Sequence, residues 1–120
     1  MITRALARCL AFSLVLLLPA SFAMADVVSW TDWTNATTGS VTGSLVTEST
    51  TVDVTFTGLY GFAQTSGGTN YWNPSTPYLS SVVDNAPPAS DIVALVPGGV
   101  ATISFSQPIH DPLLALVSWN

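Results

Sequence analysis

The sequence predicts an all-β protein, an antiparallel β-sandwich or jelly-roll-like module that follows a secretory signal peptide. After the first 25 residues, Thr, Ser, Val and Gly dominate and no stretch has helical periodicity. Several short segments instead alternate apolar and polar residues, which is the pattern of half-buried strands. Turn-forming residues separate these segments at short intervals, and about six short strands with such turns favour a sandwich.

Residues 1–25 have the three zones of a secretory signal peptide. Arg4 and Arg8 give a positive start, residues 9–18 form an apolar run, and Ala23-Met24-Ala25 has the small-x-small form of a cleavage site. The apolar run is shorter than the roughly 20 residues that cross a bilayer. We therefore expect cleavage after Ala25, export to the periplasm, cell surface or medium, and a mature module of residues 26–120 with no stable membrane anchor.

The charge of the mature module restricts its partners. Both basic residues of the chain, Arg4 and Arg8, and its only cysteine, Cys9, lie in the predicted signal peptide. The seven acidic residues all lie after it: Asp26, Asp32, Glu48, Asp53, Asp84, Asp91 and Asp111. Nucleic acids are bound largely through Lys and Arg, so we expect no nucleic-acid partner. Disulfides cannot stabilise a mature module without cysteine.

Two hairpins stand out. Residues 52–57 alternate most clearly, with Val52, Val54 and Phe56 on one face. Residues 41–45 alternate in the same way, and the polar link 47–50 predicts a hairpin between the two segments. A second hairpin is predicted over residues 92–106, around a type II turn at Val96-Pro97-Gly98-Gly99. Further strands are expected at residues 27–33 and 113–119, and residues 59–88 read as a long irregular segment.

Catalytic chemistry is not expected from this chain. The mature module has one histidine, His110, and no Cys, Lys or Gly-x-Ser-x-Gly elbow. A glycosidase needs two carboxyl groups at a set distance. Among seven carboxylates some pair can always be chosen, so the presence of such a pair does not indicate a glycosidase. Asp84, Asn85 and Asp91 could supply oxygen ligands to calcium or simply form turns. We expect no cofactor, and a secreted-hydrolase fragment is the least favoured alternative.

The irregular segment carries the candidate binding residues, Tyr60, Tyr71, Trp72 and Tyr78. Flat aromatic faces with polar neighbours suit stacking on sugar rings. The same residues could instead anchor the segment by burying apolar area. Sequence alone leaves both interpretations open.

Several segments resemble the exported PEP-CTERM proteins of Gram-negative bacteria. They are the opening 29–34 (Ser-Trp-Thr-Asp-Trp-Thr), the strand 51–58, and above all residues 103–119, in which Phe-x-Gln-Pro-x-x-Asp-Pro precedes an apolar stretch. The resemblance implies a surface or exopolysaccharide-associated protein and carries over no catalytic residues. Members end in a Pro-Glu-Pro motif, a transmembrane helix and a basic tail, none of which occurs in residues 1–120.

Residues 113–117 are apolar on both faces, as in a strand that is covered on both sides. This pattern predicts a sandwich that is incomplete at its carboxyl terminus. The function predicted first is a non-enzymatic surface or extracellular-matrix module, associated with exopolysaccharide or other cell-envelope chains. The alternative is a structural module that assembles by pairing edge strands.

Overall fold

The computed structural model describes residues 24–117. Within this range the chain forms six strands and one 3-10 turn (Thr76–Tyr78): β1 (Asp32–Thr37), β2 (Ser40–Val46), β3 (Thr51–Thr57), β4 (Tyr60–Gln64), β5 (Ile92–Leu95) and β6 (Thr102–Phe105). A four-stranded sheet has the order β1-β2-β3-β6, and β4 and β5 form a second sheet. All neighbouring strands are antiparallel. The predicted all-β antiparallel fold is confirmed, while the sandwich arrangement and its incompleteness stay predictions.

The first predicted hairpin is confirmed as β2 and β3. Val41 lies opposite Phe56, and Leu45 lies opposite Val52. The link is closed where the Thr47 amide donates to the Thr50 carbonyl at 2.8 Å. The apolar face predicted for β3 is buried, since Val52, Val54 and Phe56 are at most 3% exposed, and its polar residues alternate onto the wetter face.

The neighbouring strands extend this apolar face. On β6, Phe105 lies opposite Val54 and Ile103 opposite Phe56, but Ile103 stays 41% exposed. On the other side, β1 passes very close to β2 at Gly43. A Cβ at Gly43 would lie 2.8 Å from the Trp33 Cα and would clash with the Asp32 carbonyl. A glycine is therefore needed at this point of the sheet because the backbones approach too closely for any side chain.

The predicted second hairpin is wrong in its pairing. The turn forms, with Gly98 at φ 77° as a type II turn requires. However, β5 pairs with β4 and β6 pairs with β3. Residues 96–101 separate β5 from β6, which is more than the two-residue loop that fixes a hairpin register. The connection is long enough for the chain to change sheets.

The strand predicted at residues 27–33 begins later, as β1 at Asp32. Before β1, the Asn85 side chain makes the main-chain hydrogen bonds that a neighbouring strand would otherwise make. The Val28 amide donates to Asn85 Oδ1 at 2.7 Å, and Asn85 Nδ2 donates to the Val28 carbonyl at 2.9 Å. Asp26 forms only a single parallel bridge to Val83.

The segment 59–88, predicted as irregular, contains strand β4. Tyr60 lies opposite Leu95 and Phe62 opposite Ala94, so Gly61 is the extra residue of a β-bulge. The bulge breaks the two-residue alternation by which a strand is recognised in sequence. The remainder of the segment holds the short 3-10 turn and the isolated bridge residue Val83.

The strand predicted at residues 113–119 does not form over 113–117, and residues 118–120 lie outside the described range. Leu113, Leu114 and Leu116 are 54%, 67% and 45% exposed. Just before them, Asp111 has φ 46°, and Pro112 has no amide hydrogen to donate to a ladder. Both features oppose the start of a strand. The predicted signal peptide lies almost entirely outside the described residues.

Candidate functional site

Trp72 anchors the aromatic segment to the protein body. Its side chain is 7% exposed, and its indole Nε1 donates to the Asp91 carbonyl at 2.9 Å. The Tyr78 ring packs edge-on against it, with 5.1 Å between ring centroids. This arrangement favours the anchoring interpretation for Trp72, because its ring faces are not free to stack on a ligand.

Tyr60 is also held in place. Its hydroxyl donates to the Thr37 carbonyl at 2.6 Å, and its ring packs edge-on against Phe56 at 6.1 Å between centroids. Tyr60 thus ties β4 to the end of β1. It borders only a wide, shallow depression beside Leu59 and residues 36–39.

Tyr71 reaches the surface at another place. It is 37% exposed and lies beside Phe62, which is 44% exposed. The two ring centroids are 5.7 Å apart, with the planes tilted by 39°. The four predicted contact residues therefore belong to three separate aromatic pairs and do not form one platform.

A groove of about 270 Å³ lies at a different part of the surface. Of the four predicted residues, only Tyr78 lines it, together with Trp30, Pro77, Val83 and residues 113–116. Trp30 is a groove residue that sequence reasoning did not single out. In sequence, Trp30 is part of the strand predicted at residues 27–33 and of the Ser-Trp-Thr-Asp-Trp-Thr segment that carries the family resemblance, and neither indicates a binding role.

One groove residue, Trp30, is held by a hydrogen bond to Asn85. The Trp30 Nε1 donates to the Asn85 carbonyl at 3.1 Å, while the Asn85 side chain holds both main-chain groups of Val28. Nearby, the Asp84 amide donates to the Asp26 carbonyl at 2.9 Å. The Asn85 amide group is thus committed to structure, which favours the turn interpretation over a calcium ligand.

Two exposed carboxylates are near groove residues in the sequence. Asp84 directly follows the groove residue Val83, and Asp111 lies just before the groove segment 113–116; both side chains are exposed. No Lys or Arg occurs among residues 24–117, so no such side chain offsets these charges there. The groove lining itself is apolar and aromatic.

Asp91 is a buried connection that the sequence did not reveal. It is 5% exposed, and its carboxylate accepts the Trp33 amide at 3.1 Å and the Ser90 hydroxyl at 2.9 Å. The pKa of this carboxyl is raised overall, chiefly because burial disfavours its charged form. The two hydrogen bonds offset part of this rise, and the charge of Asp32 adds to it. Asp91 thereby joins β1, the start of β5 and, through its carbonyl, Trp72.

Gln64 closes the loop that precedes Tyr71. Its Nε2 donates to the Thr69 and Ala89 carbonyls, both at 3.0 Å. Its Oε1 accepts the Thr69 amide at 3.0 Å. One side chain at the end of β4 therefore fixes two otherwise separate loop segments.

Metal-ligating side chains are not brought together in the described part of the chain. Within residues 24–117, no group of three His, Cys, Asp or Glu side chains is placed to hold a metal ion. His110 and Asp111 are exposed neighbours in a bend of the chain. The same range contains no helix long and apolar enough to span a membrane.

Comparisons of the chain with protein-family models, curated proteins and solved structures found no match. The interpretation of the site therefore depends on its own geometry and chemistry.

Proposed function

We propose that this chain is a non-enzymatic module of the cell surface or extracellular matrix, exported from a Gram-negative bacterium and associated with glycan. The observation that carries the proposal is the groove between Trp30 and Tyr78. Sugar rings have apolar faces that pack on aromatic side chains, and the groove combines two such side chains with exposed leucines. The predicted signal peptide and the resemblance to PEP-CTERM proteins support an exported, exopolysaccharide-associated role.

Binding of the exported protein to a panel of immobilised envelope polysaccharides tests this function. The gene is expressed with its leader in a Gram-negative host, and the product is purified from the periplasm or medium. Binding to at least one polysaccharide is expected. Absence of binding to every polysaccharide in the panel would remove the glycan part of the proposal.

Two matched substitutions locate the binding surface. Leu114 lines the groove and is 67% exposed, whereas Val100 lies outside it and is 86% exposed. Leu114→Glu replaces an apolar contact in the groove by a charge and should weaken glycan binding about 5- to 10-fold, equivalent to about 1–1.4 kcal/mol. Val100→Glu should leave binding unchanged. Equal effects of the two substitutions would place the glycan elsewhere.

A second candidate function, assembly through edge strands, is favoured by β6. This strand ends the four-stranded sheet, and three of its four residues are exposed, including Ile103. An edge without charged side chains or proline invites pairing with another strand. Light scattering of the purified protein tests this: concentration-dependent oligomers that Ile103→Lys abolishes would support assembly, and a monomer at high concentration would contradict it.

A further inference from the structure

We propose that residues 26–30 form a strap that opens and docks as one unit, and that the docked strap completes the groove. The strap follows the predicted cleavage site, precedes β1 and docks on residues 82–85. Its hydrogen bonds and its exposure carry this inference, which goes beyond the proposed function and does not depend on it.

Main-chain hydrogen bonds dock the first residue of the strap. The Asp26 amide donates to the Val82 carbonyl at 3.4 Å, and the Asp84 amide donates to the Asp26 carbonyl at 2.9 Å. The two partners, Val82 and Asp84, lie on either side of Val83, a groove residue that is 7% exposed. The start of the strap is therefore fixed to one wall of the groove.

Asn85 docks the rest of the strap. Its side chain accepts the Val28 amide at 2.7 Å and donates to the Val28 carbonyl at 2.9 Å. Its own carbonyl accepts the Trp30 Nε1 at 3.1 Å. One residue therefore fixes both the path of the strap and the position of its aromatic ring.

Few apolar contacts support these hydrogen bonds. None of residues 26–30 belongs to the buried core of the described chain, and Val27 is 76% exposed. Segments with few buried apolar contacts open locally at a lower free energy than the whole protein. Beyond the strap, the Trp33 amide donates to the buried Asp91 carboxylate at 3.1 Å. We therefore expect the chain to open as far as Trp33 while the sheets remain intact.

The strap supplies one wall of the groove. Trp30 belongs to the strap, whereas Tyr78, Val83 and residues 113–116 belong to the rest of the protein. Opening of the strap therefore removes the Trp30 ring from the other lining residues. A ligand that packs on both aromatic rings binds only the docked form, and its binding shifts the strap towards docking.

Hydrogen exchange measured by NMR on the exported protein tests the strap. Three donors report on its hydrogen bonds: the Val28 amide, the Asp84 amide and the Trp30 indole. The matched reference is the Trp72 indole, whose hydrogen bond at 2.9 Å lies outside the strap. The three reporters should share one opening free energy, and it should be lower than that of the β3 amides.

Asn85→Ala removes the two side-chain bonds to Val28 but leaves the hydrogen bonds of the Asp84 amide and the Trp30 indole in place. If the strap opens as one unit, exchange of these two reporters should nevertheless become about 5- to 100-fold faster. Exchange of the Trp72 indole should not change.

Two further variants complete the comparison. Trp30→Phe removes only the indole bond and keeps an aromatic ring, so it should speed exchange of the Asp84 amide about 2- to 10-fold. Asn70→Ala is the matched control, because the Asn70 side chain accepts the Trp72 amide at 3.0 Å within its own loop. It should leave the strap reporters unchanged.

Methyl resonances of groove side chains test whether the strap completes the groove. Val83 and Leu114 line the groove together with Trp30. Their methyl resonances should shift in Asn85→Ala because the Trp30 ring moves away from them, whereas those of the buried β3 side chains should not shift.

Each outcome supports or overturns one step. Faster exchange confined to the strap, with shifted groove resonances, supports the inference. Strap reporters that exchange no faster than the β3 amides, or that respond separately to Asn85→Ala, overturn the strap as a unit. A rise that extends to the Trp72 indole and the β3 amides in both Asn85→Ala and Trp30→Phe would mean that these bonds hold the whole fold, and would overturn it as well. Faster strap exchange with unchanged groove resonances would show that the groove does not depend on the strap.

Discussion

Asp91 offers the sharpest test of how this fold is stabilised. Its carboxylate accepts hydrogen bonds from the Trp33 amide and the Ser90 hydroxyl while it is almost fully buried. Asp91→Ala would leave the Trp33 amide without this acceptor, and an unsatisfied buried donor costs about 1–3 kcal/mol. Asp91→Asn keeps an oxygen at the same place for Trp33, and the Ser90 hydroxyl can rotate to accept from the new amide. We expect the Asn variant to lie within about 1 kcal/mol of the wild type.

The pH dependence of the same variants tests the electrostatics. Because burial raises the pKa of Asp91 in the folded state, the folded protein holds this proton more tightly than the unfolded chain. The resulting stability is fully present below the unfolded pKa and is lost as the pH rises through the raised folded pKa. Asn at this position does not titrate. The free energy of unfolding of Asp91→Asn should therefore gain on that of the wild type as the pH rises from about 3 to about 7.

Urea unfolding followed by tryptophan fluorescence at several pH values measures both effects. Asp91→Ala should be less stable than Asp91→Asn at every pH. If the difference in free energy of unfolding between Asp91→Asn and the wild type stays constant with pH, the reasoning is refuted. A difference that moves in favour of the wild type at higher pH would mean that the two hydrogen bonds to the carboxylate outweigh its burial.

The other predictions concern the backbone, processing and charge. Gly43→Ala should cost about 1–3 kcal/mol in urea unfolding because its methyl group would meet the β1 backbone. Gly61→Ala, with only ordinary contacts at 3.7 Å, should be close to neutral, and equal costs would contradict the close approach. Amino-terminal sequencing of the exported protein should begin at Asp26; a start at Met1 would contradict cleavage. Trypsin should leave the unfolded mature protein intact because residues 26–120 contain no Lys or Arg, and any tryptic fragment would argue that the leader is retained. Added salt should maintain or raise Tm, since it screens repulsion between carboxylates; a marked fall would point to an unrecognised ion pair.

The elements that the sequence predicted well are those set by local pattern. The β2–β3 hairpin could be predicted because residues 52–57 alternate strictly and a short polar link precedes them. By contrast, β4 was not recognised in the sequence, because the bulge at Gly61 interrupts the alternation within a five-residue strand. The partners of β5 and β6 were also beyond local reasoning, because a turn sequence specifies that the chain bends and not which strand lies beside it afterwards.

The candidate site was predicted only in part, for a related reason. An aromatic residue in a polar segment has the same sequence appearance whether it is buried or exposed. The Trp72 indole donates a hydrogen bond to the Asp91 carbonyl, and its ring is buried. The Tyr71 ring instead packs against Phe62 and remains partly exposed. Trp30 was missed because its groove is completed by Tyr78 and residues 113–116, which are distant in sequence.

Long-range hydrogen bonds from side chains to the main chain fix the loops of this acidic protein. With no Lys or Arg in residues 24–117, ion pairs with these side chains are unavailable there. Gln64, Asn85 and Asp91 instead bind main-chain groups, and the bonds of the last two span 57 and 58 residues of sequence. Bonds of this kind to main-chain groups require no opposite charge on the protein. Most carboxylates can therefore remain at the surface, among them Asp84 and Asp111, where water solvates their charge.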